Sequence, residues 1–185
     1  MKNLWVKEKI LYDGTQLVSL WAFRNWGLQG DSIVAFRGPC RVLLEHMVDL
    51  EDVRSQAAIF SEDMLHFIIE HFDLDLEKTI WRQRMFIVLI KEELERRLAV
   101  KLRRDGDDLY QGPNKLSVSI ATLSPVSSLI HVGLNIISRN TPVPTVGLAE
   151  MGIENVEDLA HACMDSYVRE NQQVKMARCK VRGVD

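Results

Sequence analysis

The chain has 185 residues, 46% of them hydrophobic and 26% charged, and a formal net charge of -3 at pH 7. That length supports one self-sufficient core, so a single domain over residues 1–185 is expected, and the mild acidity speaks against broad binding to nucleic acid, which needs a clustered basic surface. Three widely spaced cysteines, Cys40, Cys163 and Cys179, indicate neither a zinc site nor a disulfide framework and fit the reduced cytosol.

The opening stretch MKNLWVKEKI carries charges where a secretory leader needs its apolar segment. The longest apolar run, residues 85–90, is far short of a membrane span. A cytoplasmic protein without a membrane partner is therefore expected. Residues 4–11 read as an edge-type strand closed by the turn pair Asp13-Gly14. Residues 15–28 place Leu17, Leu20, Trp21 and Phe23 at helical spacing, with an end near Gly27. Residues 32–37 form a short apolar run that suits a buried strand, followed by a loop at Gly38-Pro39-Cys40. Residues 41–60, with acidic clusters and turn residues, predict an irregular excursion over one edge.

Ser61 has the position of a helix N-cap, with Phe60 and Leu65 spaced as a hydrophobic staple; a helix over 62–72 follows. A longer helix spans about 78–98, apolar all round at its centre and alternating in charge towards its end. Residues 100–104 and 107–111 flank Arg-Asp-Gly as a hairpin. A proline-rich link over 141–145 leads to a final helix capped by Asn155, with Val156, Leu159, Ala160, Cys163 and Tyr167 as its apolar stripe. The tail from Lys175 is basic and expected to fray. Strands joined by hairpins, with helices around them, predict an α+β fold: a mixed, largely antiparallel sheet packed by helices on one face.

Polar residues interrupt the strands in a regular way between 115 and 137. Lys115, Ser117 and Ser119 alternate with Leu116, Val118 and Ile120, as period-2 geometry requires. After Ser124-Pro125, His131, Gly133 and Asn135 alternate with Ile130, Val132, Leu134 and Ile136. Folded as an antiparallel pair, these runs are expected to set Lys115 opposite Asn135, Ser117 opposite Gly133 and Ser119 opposite His131. The predicted result is one greasy face and one face carrying a cation, two hydroxyls, an imidazole and a carboxamide, with Gly133 leaving room over the backbone.

Each candidate has an ordinary alternative. Lys115 suits a carboxylate or phosphate, or is a strand-edge lysine with its head in water. His131 and Asn135 suit proton transfer and ligand hydrogen bonds, or form a buried pair that fixes register. Arg37-Gly38 offers a guanidinium fork and close backbone amides to an anion, or an arginine paired with Asp31 or Glu45. Cys40 is a nucleophile only if its thiolate is stabilised; a buried thiol is the simpler reading. Arg82 and Arg84 could reach an anion or be surface charges. His66 and His71 are too poorly spaced for a metal pair, so no metal held by protein side chains alone is expected. Asp107-Asp108 suits a magnesium brought in by a nucleotide, or is a solvated pair. Neither GxxxxGK[ST], GxGxxG nor GxSxG occurs.

The segments at 29–38, 106–110, 114–122 and 130–135 together resemble a prokaryotic family of unknown function, over nearly the whole chain. That family is grouped by fold with biotin- and lipoate-protein ligases and octanoyltransferases, which share a core with class II aminoacyl-tRNA synthetases. Lys115-Leu-Ser is similar to the ligases' catalytic-lysine segment. The run from His131 to Asn135 is similar to their His-Gly-x-x-x-Asn or Gly-x-Gly-x-Asn strand, and Arg37-Gly38 to the opening of their glycine-rich loop. The resemblance implies an adenylate-forming ligase or acyltransferase acting on a small carboxylic acid. Lys115 would then be catalytic, and Arg37, Gly38, Ser117, Ser119, His131, Gly133 and Asn135 would bind substrate or nucleotide. ATP with magnesium, an acceptor protein and a homodimer belong to the same expectation. Two departures stand out: the glycine-rich loop is reduced to Arg37-Gly38-Pro39, and Pro144-Thr145-Val146-Gly147 replaces the octanoyltransferases' Pro-Cys-Gly, so their thioester is not expected. The competing expectation is a non-catalytic protein that binds a nucleotide or small carboxylate on the same scaffold.

Overall fold

A computed structural model describes residues 1–55 and 59–184. The strands are β1 (Lys2–Val6), β2 (Ser32–Val42), β3 (Ile59–His71), β7 (Ser117–Leu123) and β8 (Ser128–Asn135), joined in the order β1-β2-β3-β8-β7. Only β1–β2 is parallel; the other three pairings are antiparallel. A small second sheet holds β4 (Arg103–Asp105), β5 (Asp108–Gln111) and β6 (Asn114–Lys115). The helices are α1 (Trp21–Trp26), α2 (Leu50–Ser55), α3 (Leu76–Arg97) and α4 (Val156–Ala177). This is the expected α+β arrangement, a largely antiparallel sheet packed by helices. No helix among the described residues is long and apolar enough to cross a membrane.

The long helices start where side chains replace missing backbone partners. Asp75 accepts from the Lys78 amide at the head of α3, and Asn155 from the Asp158 amide at the head of α4. Phe86, Ile87, Ile90 and Leu94 of α3 and Leu159, Cys163 and Tyr167 of α4 bury against Ile33, Ala35, Leu65, Phe67, Ile69, Ile130, Val132 and Leu134 of the sheet. These are alternate residues of each strand, as a pleated surface requires. The opposite sheet face, with Val34, Phe36, Met64 and Ile68, is covered by α1 and the loops around Tyr12 and Met47.

Several expectations are corrected. The helix expected over 62–72 is absent: residues 62–71 belong to β3, the middle strand of the sheet, and Phe72 lies just beyond its end. Every residue from Asp63 to His71 is buried, and a strand covered on both faces reads as a continuous apolar run that periodicity cannot separate from a helix. Ser61 therefore caps nothing. The strand expected over 32–37 does not stop at a loop: β2 runs on through Gly38-Pro39-Cys40 to Val42, with a register shift between Gly38 and Cys40. A bulge is where a strand tolerates proline. Residues 10–12 lie along this half of β2, Ile10 donating to the Arg37 carbonyl and Tyr12 to that of Pro39.

The helix expected over 15–28 shrinks to α1 because Asp13 takes the Thr15 amide and hydroxyl, a local bond that competes with helix; it does end at Gly27. Of the irregular excursion expected over 41–60, residues 41–42 end β2 and 59–60 begin β3; between them lie a 3-10 turn (Leu44–His46) and α2, and 56–58 are outside the described residues. The β7–β8 hairpin forms, but one residue out of the expected register: Ser117 faces Leu134, Val118 faces Gly133, and Ile120 faces His131. The serines escape the expected penalty because each finds a partner on the helix side. Ser117 Oγ accepts from the Leu109 amide at 2.8 Å, and Ser119 Oγ accepts from Gln83 Nε2 at 2.7 Å and lies 2.9 Å from Asp107.

Candidate functional site

A cavity of about 320 Å³ lies on the sheet face away from the long helices. Val118, Ile120, His131 and Asn135 from β7–β8 and Met64 from β3 line it, as do Lys115 and Asp108 of the small sheet and Tyr12 and residues 46–49 of the covering loops. Its wall is mixed: apolar side chains between polar ones.

Lys115 enters at the end of β6, opposite Thr145 of the proline-rich link, its backbone amide donating to the Pro144 carbonyl and its carbonyl accepting from the Val146 amide. Its ammonium is 2.8 Å from Asp108 Oδ2, with the two side chains 28% and 23% exposed. Burial pushes the Asp108 carboxyl up and the Lys115 charge opposes that shift. An ammonium has three donors, so one ion pair leaves it able to meet a second anion.

At the other end sit two histidines from neighbouring strands. His66 Nε2 is 3.2 Å from the Gly38 carbonyl and its Nδ1 is 3.1 Å from His131 Nε2. The Tyr12 ring stacks on His131, centroids 3.8 Å apart and 12° from parallel, and Phe36 stacks on His66. Burial lowers both imidazoles, His66 to about 4 and His131 well below its ordinary value, so both are neutral at pH 7. Burial also raises the Tyr12 phenol, with Cys40 and Asp13 adding to the shift. Asn135 is almost fully buried. Among the described residues its carboxamide has no protein hydrogen bond, and it borders the cavity. Ser61 Oγ, in the same wall, is buried and has no partner among the described residues.

Of the residues singled out from sequence, Lys115, His131, Asn135 and Ser119 line this cavity, the last with its hydroxyl already committed to Gln83 and Asp107. Ser117 does not; its hydroxyl serves the Leu109 amide. Arg37 also lies outside the lining. It is paired neither with Asp31 nor with Glu45 but with Asp63, Nε at 3.0 Å from both oxygens and an Nη at 2.6 Å. Gly38 is needed for close packing rather than for an anion, since a β-carbon there would stand 1.9 Å from the Ile10 carbonyl oxygen. The space over Gly133 is filled by the Met64 methyl, 2.8 Å from where a β-carbon would sit. Cys40 is fully buried and its thiol pushed up to about 12, so it is no nucleophile at neutral pH. Arg82 pairs with Asp73 at 2.9 Å. Asp107 holds Gln83 and Ser119, which ties the small sheet to α3. Among the described residues no group of three or more His, Cys, Asp or Glu is arranged for a metal ion.

Sequence reasoning missed Tyr12, Ser61, Met64 and His66. The last three were hidden by the helical reading of β3. The signal that would have found them is alternation: Met64, His66, Ile68 and Glu70 share one face, Leu65, Phe67, Ile69 and His71 the other.

This architecture, with its site on the open sheet face, is the biotin/lipoate-protein ligase-like fold. A biotin protein ligase from Aquifex aeolicus, in complex with biotin and ATP, superposes with a TM-score of 0.64 at 14% identity, covering 94% of this chain and 72% of that one. A putative lipoate protein ligase from T. acidophilum does so with 0.59 at 10% identity, covering 91% and 84%. At such identities the likeness is one of fold.

Within that fold the chain belongs to the family described as Domain of unknown function (DUF366), which its residues 1–182 match. A protein of unknown function from Pyrococcus horikoshi is similar over 100% of both chains, at 39% identity and a TM-score of 0.93. An uncharacterised protein of Methanocaldococcus jannaschii is 38% identical over 181 residues, 95% of this chain and 81% of the relative.

Proposed function

We propose that this protein is a ligase or acyl-transfer enzyme acting on one small carboxylic acid held in the cavity. The observation that carries the reading is the cavity wall itself. It brings the ammonium of Lys115 together with buried polar side chains that have no protein partner among the described residues, across an apolar stretch. Lys115 would bind the carboxylate of the free acid and, when the acid arrives as its thioester, offset the negative charge that develops on the thioester carbonyl oxygen as the acceptor nucleophile attacks and the thiolate leaves, the kind of preset electrostatic contribution that dominates many catalysts. Asn135, with two donors and an acceptor, would orient the same end of the ligand.

ATP with magnesium is the cofactor that adenylation implies. The Arg37-Gly38 segment does not fit a phosphate cradle: the guanidinium is committed to Asp63 and Gly38 is covered by Ile10. A volume of about 320 Å³ is at the small end for ligand sites, ~300–1,000 Å³, and suits one acid better than an acid with a nucleotide. The residues therefore favour acyl transfer over adenylation, and no step is routed through ATP. An acceptor protein and a homodimer remain part of the proposal.

The test is a panel of small acids in ATP–pyrophosphate exchange, run beside acyl transfer from their thioesters. Turnover in the second assay is expected, and Lys115→Ala should reduce both turnover and acid binding at least ~10-fold while costing under about 1 kcal/mol of stability, as for a part-exposed ion pair. Unchanged binding and turnover in that variant would sink the site. One observation favours a second reading, a non-catalytic binder: Lys115 already has Asp108 as counter-ion. Thermal stabilisation by an acid with no turnover in either assay would establish it.

A further inference from the structure

The two histidines are ordered by the backbone. The Gly38 carbonyl oxygen can only accept, so His66 Nε2, 3.2 Å away, carries the proton. The other nitrogen of a neutral imidazole is then a lone pair, and His131 Nε2, 3.1 Å from it, has to donate. That leaves His131 Nδ1 as an acceptor. Among the described residues no protein donor meets this nitrogen, and the ring borders the cavity. Tyr12, stacked at 3.8 Å, keeps the ring from turning.

Along β8, Asn135 is on the same face as His131 and four residues further, a span of about 13 Å at strand rise. Lys115 belongs to the Asn135 end, because the carbonyl of the next residue, Leu116, accepts from the Asn135 amide. Met64, Val118 and Ile120 supply apolar wall. We infer that the cavity selects an elongated carboxylic acid whose far end bears an N–H or O–H donor. His131 is then the specificity-determining acceptor, and His66 the positioning residue that fixes its tautomer. This rests on the reading of Lys115 as the cation that takes the carboxylate. A buried acceptor left unmatched by the ligand is penalised, so such a site rejects an analogue lacking the donor far better than one of the wrong bulk.

The probes are ω-hydroxyalkanoates of roughly six to ten carbons, lengths that approach the strand spacing, each paired with its ω-methoxy twin, which accepts but cannot donate. In calorimetric titration of the full chain, the hydroxy acid of best length should bind about ten-fold tighter than its twin. His131→Phe should abolish that discrimination. Equal affinity of the twins at every length, with Lys115→Ala still weakening both, overturns this inference alone. No binding of any acid, or binding that ignores Lys115→Ala, overturns it together with the proposed function. Two-bond proton–nitrogen spectra of the unsubstituted protein test the tautomer directly: His131 should be protonated on Nε2 and bare on Nδ1, and the opposite tautomer overturns the inference. In His66→Leu the constraint goes, and the His131 signals should move towards a tautomer mixture.

Discussion

The two faces of the main sheet are built from the same strands, residue by alternate residue, yet they differ in kind. On the helix face Ile33, Ala35, Leu65, Phe67, Ile69, Ile130, Val132 and Leu134 meet two helices of 22 residues each and leave no room. On the opposite face Phe36, Met64, His66, His131 and Asn135 meet shorter pieces: α1, a 3-10 turn, the edge of the small sheet and loops. Long helices close-pack a pleated surface over its whole length; short segments cover it in patches and leave a cavity between them. Polar side chains are buried on both faces, but those of the helix side, such as Ser117 and Gln83, are hydrogen-bonded, whereas among the described residues the Asn135 carboxamide has no protein partner.

The sharpest way to break this contrast is to empty the helix face. Phe67 and Phe86 meet edge to face, ring centres 5.0 Å apart, both fully buried. Phe67→Ala should cost about 3–5 kcal/mol in urea unfolding, as a large cavity in a rigid core does. A cost below ~1 kcal/mol would mean that the helix face is not the main source of stability.

The cavity face should instead show itself through pH. His66 takes its proton only near pH 4 in the folded chain, against 6.5 for an ordinary histidine. Between those values the unfolded chain binds a proton that the folded one does not, so stability falls as pH drops through that window and is complete above it. The contribution of this group is about 3 kcal/mol. His66→Gln should flatten that part of the stability profile, and an unchanged slope between pH 6.5 and 4 would show that the buried ring is not responsible.

Ser61 is the mildest probe. Its hydroxyl is buried with no partner among the described residues, and removing such a group is nearly neutral or favourable, by up to about 1 kcal/mol. Thermal melting of Ser61→Ala should show no loss; a clear drop would reveal that the hydroxyl is bonded after all.

The sequence made the helix face easier to read than the cavity face, for physical reasons. The apolar stripe and charge alternation placed α3 within two residues of its ends, though not its cap Asp75, and Asn155 placed the start of α4, while Gly106 between Arg103 and Gln111 gave the small hairpin. The central strand was misread because Leu65, Ile68, Ile69 and Phe72 are spaced as a helix would space them, and burial on both faces erased the alternation that marks a half-exposed strand. The hairpin register slipped by one because serines were assigned to the wet face, whereas a serine that finds a carboxylate and a carboxamide partner, as Ser119 does, sits comfortably on the other. Lys115, His131 and Asn135 do share one cavity, although the register that suggested them was off. Arg37 could not be placed from sequence, since its partner Asp63 lay within the misread segment.

One wall of the pocket is supplied by the earliest stretch of chain and the floor by one of the latest strands: Tyr12 rests on His131, and Ile10 lies over Gly38. Contacts so distant along the polymer form slowly, because their loop entropy is lost before their reward arrives. The helix layer carries contacts just as distant, α4 packing against β1 and Asn3 bonding Asp165, so both faces of the sheet close only once nearly the whole chain is present.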